Sequence, residues 1–179
     1  GNFILMKHLV KIFILTFFIL TFTNLSAEEK IVYLDLKQIL NNSSAGKGAQ
    51  DFLKKSFTDN QKKFLEMEKA LKKEEKDLLV KKTVLSKEEY AKKVDILRKR
   101  VIDYQSARRA SLDKITALRS ESRTTLIKKI EPILEVYITE NNISLVVDKK
   151  YTLGGNPEND ITKIIVEKLN KELPSLNLK

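Results

Sequence analysis

Apolar residues recur every seven positions through the middle of this chain: Phe57, Phe64, Leu71, Leu78 and Leu85, with Leu53 and Met67 on the alternate seam positions. That is the a/d pattern of a coiled coil. From about Ala45 to Glu140 the pattern predicts helix almost throughout, with no glycine between Gly48 and Gly154 and no proline before Pro132. The seam breaks around Thr83 to Ser86, where Ser86-Lys87-Glu88-Glu89 has the form of a capping box. In such a box the serine caps a new helix and the glutamate three residues later reaches back. A second seam follows at once: Tyr90, Val94, Leu97, Val101 and Tyr104. Two heptad arms joined by a short capped turn predict an antiparallel helical hairpin over 48–140, with its tip near 83–87. At 1.5 Å per residue the arm from Gly48 to Leu85 measures about 55 Å. Asn60, Glu74, Arg108 and Ser111 fall on seam positions, which weakens the pairing and leaves the arms able to bend. Glu68/Lys72, Glu89/Lys93 and Asp95/Lys99 are placed to give small i,i+4 support on the outside.

The two ends of the chain have a different period. Ile31-Val32-Tyr33-Leu34-Asp35-Leu36 is β-branched, aromatic and apolar, the composition of a buried strand. Lys37 to Leu40 follows as a helical turn and Asn41-Asn42-Ser43-Ser44 as a break. Ile143 to Asp148 predicts a second strand. Lys149-Lys150 then turns into a short partner at Tyr151-Thr152-Leu153, and Gly154-Gly155-Asn156-Pro157 is loop chemistry. Asp160 caps a last helix carrying Ile161, Ile164, Ile165 and Leu169 on one face. Segments 28–47 and 141–179 must therefore meet in a β-rich body. The fold class is mainly α with a small β body, the coiled-coil hairpin projecting from it. Two or three strands from one chain make a marginal sheet. Oligomerisation, with strands of several subunits completing a small barrel, is the natural remedy. The candidate oligomerisation residues are Val32, Leu34, Leu36, Leu145, Val147 and Ile165, with Val32, Leu34, Val147 and Ile165 expected to be buried.

The N-terminus predicts export from the cytoplasm to the periplasm. Lys7, His8 and Lys11 lead into an apolar run from Ile12 to Phe22, then Leu25-Ser26-Ala27. A basic start, a short apolar centre and a small final residue predict a secretory signal peptide over 1–27, cut after Ala27. Residues 1–5 lie upstream of Met6 as an overextended start. The run is shorter than the roughly 20 residues that span a bilayer core; an anchor that stays attached is the alternative, and it too exports everything that follows. The chain has no cysteine, and its one histidine, His8, lies in that leader. The mature chain then lacks thiolate chemistry, the usual general base and the commonest metal ligand. No enzyme activity, cofactor or metal is expected.

Charge sharpens the picture. The chain holds 34 Lys+Arg and 24 Asp+Glu, or 32 against 24 once Lys7 and Lys11 are removed, a net +8. Between Lys69 and Arg109 there are 14 basic and 7 acidic residues, so +7 of that excess lies on the arms. Nucleic acid is disfavoured as a partner, since the chain is exported and the arm has no platform of closely spaced aromatics. An anionic membrane surface or lipopolysaccharide fits Lys81, Lys82 and Lys87 at the tip. Acidic unfolded protein fits a basic, flexible surface that binds quickly without demanding a sequence. The candidate client-binding residues are Lys81, Lys82, Lys87, Lys92, Lys93, Arg98, Lys99 and Arg100. Two apparent motifs carry no chemistry. Ala45-Gly46-Lys47-Gly48 has Asn41 where a phosphate loop needs glycine, and no Ser or Thr after Lys47, so it is a helix start. Asp35 and Asp148 each close a strand, where a carboxylate ordinarily bonds turn backbone.

Three stretches together resemble a known family. Lys30 to Leu36 with Leu40-Asn41-Asn42-Ser43-Ser44-Ala45-Gly46-Lys47 is similar to the start of the Skp (OmpH-like) periplasmic chaperones. Leu85-Ser86-Lys87-Glu88-Glu89-Tyr90 is similar to that family's tentacle turn, and Leu145 to Lys149 with Asp160-Ile161-Thr162 to its end. Gly154-Gly155-Asn156 departs from the pattern. The resemblance implies a homotrimer with a β-barrel body and three helical tentacles around a cavity. It also implies an ATP-independent holdase for unfolded outer-membrane proteins crossing the periplasm. Two other classes compete with it: a coiled-coil envelope adaptor, and a spacer binding anionic lipid or lipopolysaccharide.

Overall fold

The computed structural model describes residues 29–178, with Met6, His8 and Lys11 ahead of them. The signal-peptide reading of 1–27 falls outside the described residues, apart from those three. Gly1–Lys30 and Ile31–Lys179 are separate compact units. The elements in order are β1 (Lys30–Leu34), α1 (Leu36–Asn42), α2 (Ser44–Val80), α3 (Lys87–Glu140), β2 (Ile143–Asp148) and α4 (Thr162–Glu172). Short 3-10 turns occupy Lys81–Thr83, Lys149–Tyr151 and Pro157–Asn159.

β1 is shorter than its apolar run predicts. Asp35 accepts a hydrogen bond from the Gln38 backbone N–H at 2.8 Å, so Leu36, expected in the strand, is the first residue of α1. An aspartate that satisfies a free helix N–H outweighs the weak β-preference of one leucine. The predicted break at Asn41–Ser44 shrinks to Ser43, which is extended and fully buried. Its hydroxyl accepts from the Gly46 N–H at 3.2 Å. Here α1 and α2 approach so closely that a Cβ on Gly46 would lie 1.9 Å from the Leu40 carbonyl oxygen. Glycine is what this crossing requires.

The body core gathers both ends of the chain around the last part of α3. Val32, Leu34, Ile39 and Leu40 meet Leu126, Ile130 and Ile133, and Ile143, Ile161, Ile165 and Leu169 close the other side. β1 and β2 form a two-stranded sheet. The strand expected at Tyr151–Leu153 does not form. Asp148 accepts from the Lys150 N–H at 3.1 Å and winds Lys149–Tyr151 into a 3-10 turn, leaving Leu153 in solvent. The second edge of β1 is met instead by a single parallel bridge between Tyr33 and Asp160, with the Ile161 N–H donating to the Tyr33 carbonyl at 2.9 Å.

Two expectations about burial change. On β2 it is Val146 that packs on the core, while Val147 is half-buried and Leu145 is exposed. Because side chains alternate along a strand, Ile31 and Tyr33 share the face of β1 turned from this core. On β2, Ile143 and Val146 both pack on the core, so that strand does not keep strict alternation and Leu145 is exposed without it. On α4 the buried stripe is Ile161, Ile165 and Leu169, spaced at i, i+4 and i+8, whereas Ile164 lies at its margin and is 39% exposed. Asp160, expected to cap α4, lies one residue ahead of the cap position, which Ile161 occupies without a side-chain bond. Its carboxylate accepts from the Thr162 N–H at 3.0 Å and from the Thr162 hydroxyl.

Candidate functional site: the helical arm

The arm is an antiparallel pair with its own thin core. α2 has 37 residues and α3 has 54, about 55 and 80 Å of helix at 1.5 Å per residue. Phe64, Leu71 and Leu78 on α2 meet Leu97 and Tyr104 on α3, with Leu85, Tyr90, Val94 and Val101 packed against them. Phe64 and Tyr104 are edge to face, their ring centroids 6.0 Å apart. Three residues assigned to the seam lie off it: Phe57, Met67 and Arg108 are all exposed. The Glu68 side chain beside Met67 stays 40% exposed at the edge of the seam, where its carboxylate accepts from the Tyr104 hydroxyl at 3.4 Å. A straight helix drifts about 20° per heptad against a strict seven-residue repeat, which carries such positions to the margin of the seam. Lys72 lies 2.7 Å from the same carboxylate, and its hydrogen bond holds the Glu68 carboxyl below its usual range. Glu74, a polar seam residue, pairs across the arm with Arg100.

The tip is built by the predicted capping box. Ser86 Oγ accepts from the Glu89 N–H at 3.3 Å, and the Glu89 carboxylate accepts from the Ser86 N–H at 3.2 Å and its hydroxyl at 2.8 Å. Those bonds, the hydroxyl's first, hold the Glu89 carboxyl below its usual range. A depressed carboxylate pKa stabilises the fold above the unfolded value, near 4.3, and that contribution is lost as pH falls through the folded pKa. Amides of the first turn of α3 should therefore lose protection below about pH 4, after correction for intrinsic exchange rates. In Ser86→Ala the same amides should be poorly protected at neutral pH and show little further pH effect. Hydrogen exchange read at Lys87–Tyr90 checks this, and equal protection in both proteins would refute the cap's role.

The eight candidate binding residues surround this tip, and all are exposed. Lys81 and Lys82 lie in the 3-10 turn and Lys87 opens α3. Arg98 pairs with Asp95 at 3.1 Å, so Asp95 does not serve Lys99 as its spacing implied. Arg100 is held by Glu74. The six lysines make no ion pair among the described residues. Sequence reasoning missed the apolar half of the tip: Leu79, Val80 and Val84 are exposed, Val84 by 83%. The signal was present, because three apolar residues adjoining Leu78 and Leu85 cannot all face one partner helix. Phe57, Leu65 and Leu112 are likewise exposed further down the arm.

The rest of the molecule offers structural roles. Asp35 and Asp148 bond turn backbone, as expected. Among the described residues no group of three or more His, Cys, Asp or Glu is placed to hold a metal, and no helix is long and apolar enough to cross a membrane. In the Gly154-Gly155 loop, a Cβ on Gly155 would stand 2.8 Å from the Tyr33 ring. The Lys149 ammonium lies 5.7 Å from that ring's centre and 3.2 Å from Asp160, whose hydrogen bond raises its pKa. The loop thus closes over the outer edge of β1.

Comparison with known proteins agrees with this geometry. A solved structure from Caulobacter crescentus CB15, described as a candidate outer membrane chaperone (OmpH-like), superposes with a TM-score of 0.78 at 17% identity, covering 84% of this chain and 89% of that one. At that identity the likeness speaks to the fold. No curated protein matches the chain. The profile of the outer membrane protein (OmpH-like) family matches residues 30–169, which takes in β1, the whole arm, β2 and most of α4. This chain belongs to the OmpH-like family.

Proposed function

We propose that this protein is an ATP-independent periplasmic holdase that binds unfolded outer-membrane proteins between its arms and prevents their aggregation in transit. The observation that carries the reading is the arm itself: a long two-helix projection whose core is one seam wide and whose six candidate lysines near the tip make no ion pair among the described residues. Lysine and arginine stems offer apolar contact while their charged heads stay wet, so many weak contacts retain a client without a sticky surface. The active form is a homotrimer. Its support is the apolar outer face of the sheet, where Ile31 and Leu145 are exposed in the single chain and two strands make a marginal sheet. Val32, Leu34, Leu36, Leu145, Val147 and Ile165 form the oligomerisation body in this reading, and Lys81, Lys82, Lys87, Lys92, Lys93, Arg98, Lys99 and Arg100 the client surface. The protein performs no catalysis and needs no cofactor.

The test is light scattering. The mature chain, in excess over an unfolded β-barrel client diluted from urea, should suppress aggregation without nucleotide. Sedimentation equilibrium should give three subunits at micromolar concentration, and Val147→Asp should break that assembly by placing an unpaired charge in the interface. Unchanged scattering, or a stable monomer, would sink the respective half of the proposal.

A second reading has its own observation, the exposed Leu79, Val80 and Val84 beside Lys81, Lys82 and Lys87. Aliphatic and cationic side chains together suit the interface of an anionic membrane surface or lipopolysaccharide. An envelope spacer of this kind would float with anionic vesicles and leave client aggregation unaffected.

A further inference from the structure

Between the body core and the arm core the seam changes character. Asn60 on α2 faces the stretch of α3 that carries Ala107, Ala110 and Ser111. Small and polar side chains occupy the seam at this level, and two grooves of about 570 and 580 Å³ run beside it, comparable with the one of about 580 Å³ beside Leu71 and Leu97. Volumes of this order are those of pockets that accept small ligands. The two grooves differ in chemistry. The first is lined by Phe57, Leu65 and Leu112, which are 40%, 52% and 43% exposed. Lys62 and Arg108 stand beside them, and the only carboxylate there, Glu68, is occupied by Lys72 and the Tyr104 hydroxyl. It is an apolar slot with a basic border. The second groove mixes Asp59 with Lys63 and Lys114 and has no such polarity.

We propose that the Phe57–Leu65–Leu112 groove takes apolar side chains of an extended client segment whose alternate positions are acidic. This rests on the holdase reading and names the part of a client that is gripped. Strands destined for an outer-membrane barrel alternate apolar and polar residues. In an extended chain the side chains on one face recur about every 7 Å. From Phe57 to Leu65 the groove follows α2 for about 12 Å, room for two apolar side chains of one face, while acidic neighbours reach Lys62 and Arg108. A second copy of the arm is the poorer occupant, because its own net +7 between Lys69 and Arg109 would meet this basic border.

The experiment uses the full mature chain and a fluorescent twelve-residue peptide alternating Phe and Asp. Two control peptides carry the same residues in blocks, or Lys in place of Asp. The alternating acidic peptide should bind at least five-fold tighter than either control. The absence of cysteine makes Leu65→Cys a unique point for a photoreactive label, which should crosslink to the bound peptide. The double variant Leu65→Ser/Leu112→Ser should lose five-fold or more in affinity with unchanged circular dichroism. Arg108→Gln should weaken binding and flatten its salt dependence, and Val80→Ser/Val84→Ser should leave it unchanged. Equal binding of all three peptides, unaltered affinity in the double variant, or crosslinking of the Leu65→Cys label to a second copy would overturn the proposal. Light scattering with a whole client separates this from the broader reading. Peptide binding without suppression of aggregation sinks the holdase and leaves the groove; suppression that survives in the double variant, with peptide affinity unchanged, does the reverse.

Discussion

Replacing Gly46 with alanine is expected to lower the unfolding temperature by about 6–12 °C, while the same change two residues on, at Gly48, raises it by about 2–4 °C. Both glycines lie in the first turns of α2, so helix propensity alone predicts a gain of up to about 1 kcal/mol at each. A Cβ at Gly48 meets nothing within 4 Å, and the gain is realised there. At Gly46 it would stand 1.9 Å from the Leu40 carbonyl oxygen and 2.9 Å from Ser43 Oγ. The first is backbone and cannot step aside, and the second is the hydroxyl that caps α2, so α1 must move and draw Ile39 and Leu40 out of the body core. Overpacking costs about 1–3 kcal/mol where side chains can adjust, and a backbone contact belongs at the upper end. Thermal unfolding of the two variants side by side decides the matter. A Gly46→Ala protein as stable as the parent would mean that the crossing of α1 and α2 is looser than described.

The second large effect is on capture rate. Changing Lys81, Lys82, Lys92, Lys93 and Lys99 to glutamate takes the charge between Lys69 and Arg109 from +7 to −3. None of the five is in an ion pair among the described residues, so no observed pair is broken. Four new carboxylates would stand four residues from an existing one, beside Asp77, Glu88, Glu89 and Asp95. Such like-charge pairs oppose a helix slightly, and circular dichroism and sedimentation should confirm that the variant remains helical and assembled. Capture of an acidic unfolded client should then slow several-fold, since steering acts mainly on the association rate. The parent's capture should slow with added salt, exposed charges being screened beyond about 8 Å at physiological ionic strength. Capture that ignores both the substitutions and the salt would assign the hold to apolar residues of the arm.

Where the determining interaction is local, the chain's own letters sufficed. The two arms follow from a seven-residue period, and their junction from Ser86 and Glu89, three residues apart and bonded as that spacing requires. Asp35 and Asp148 act on backbone two or three residues away, and their role as turn-makers was legible. The lysines of the tip were legible too, because exposure is the default state of a lysine.

Choices among near-equivalent neighbours needed the tertiary structure. Val146 and Val147 are chemically identical, and only the pairing of β2 with β1 and the seating of that sheet on α3 turned Val146 to the core. Met67 is apolar and at a seam position by spacing, yet it is exposed, while Glu68 beside it meets a hydroxyl 36 residues away in sequence. Ile161, Ile164 and Ile165 are likewise indistinguishable by type, and the angle at which α4 meets the body decided that Ile164 would face water. A helical or extended period records which residues can share a face. The orientation of that face is set by contacts between segments more than a hundred residues apart, such as the Asp35 N–H donating to the Thr162 hydroxyl at 2.9 Å, and no local spacing encodes them.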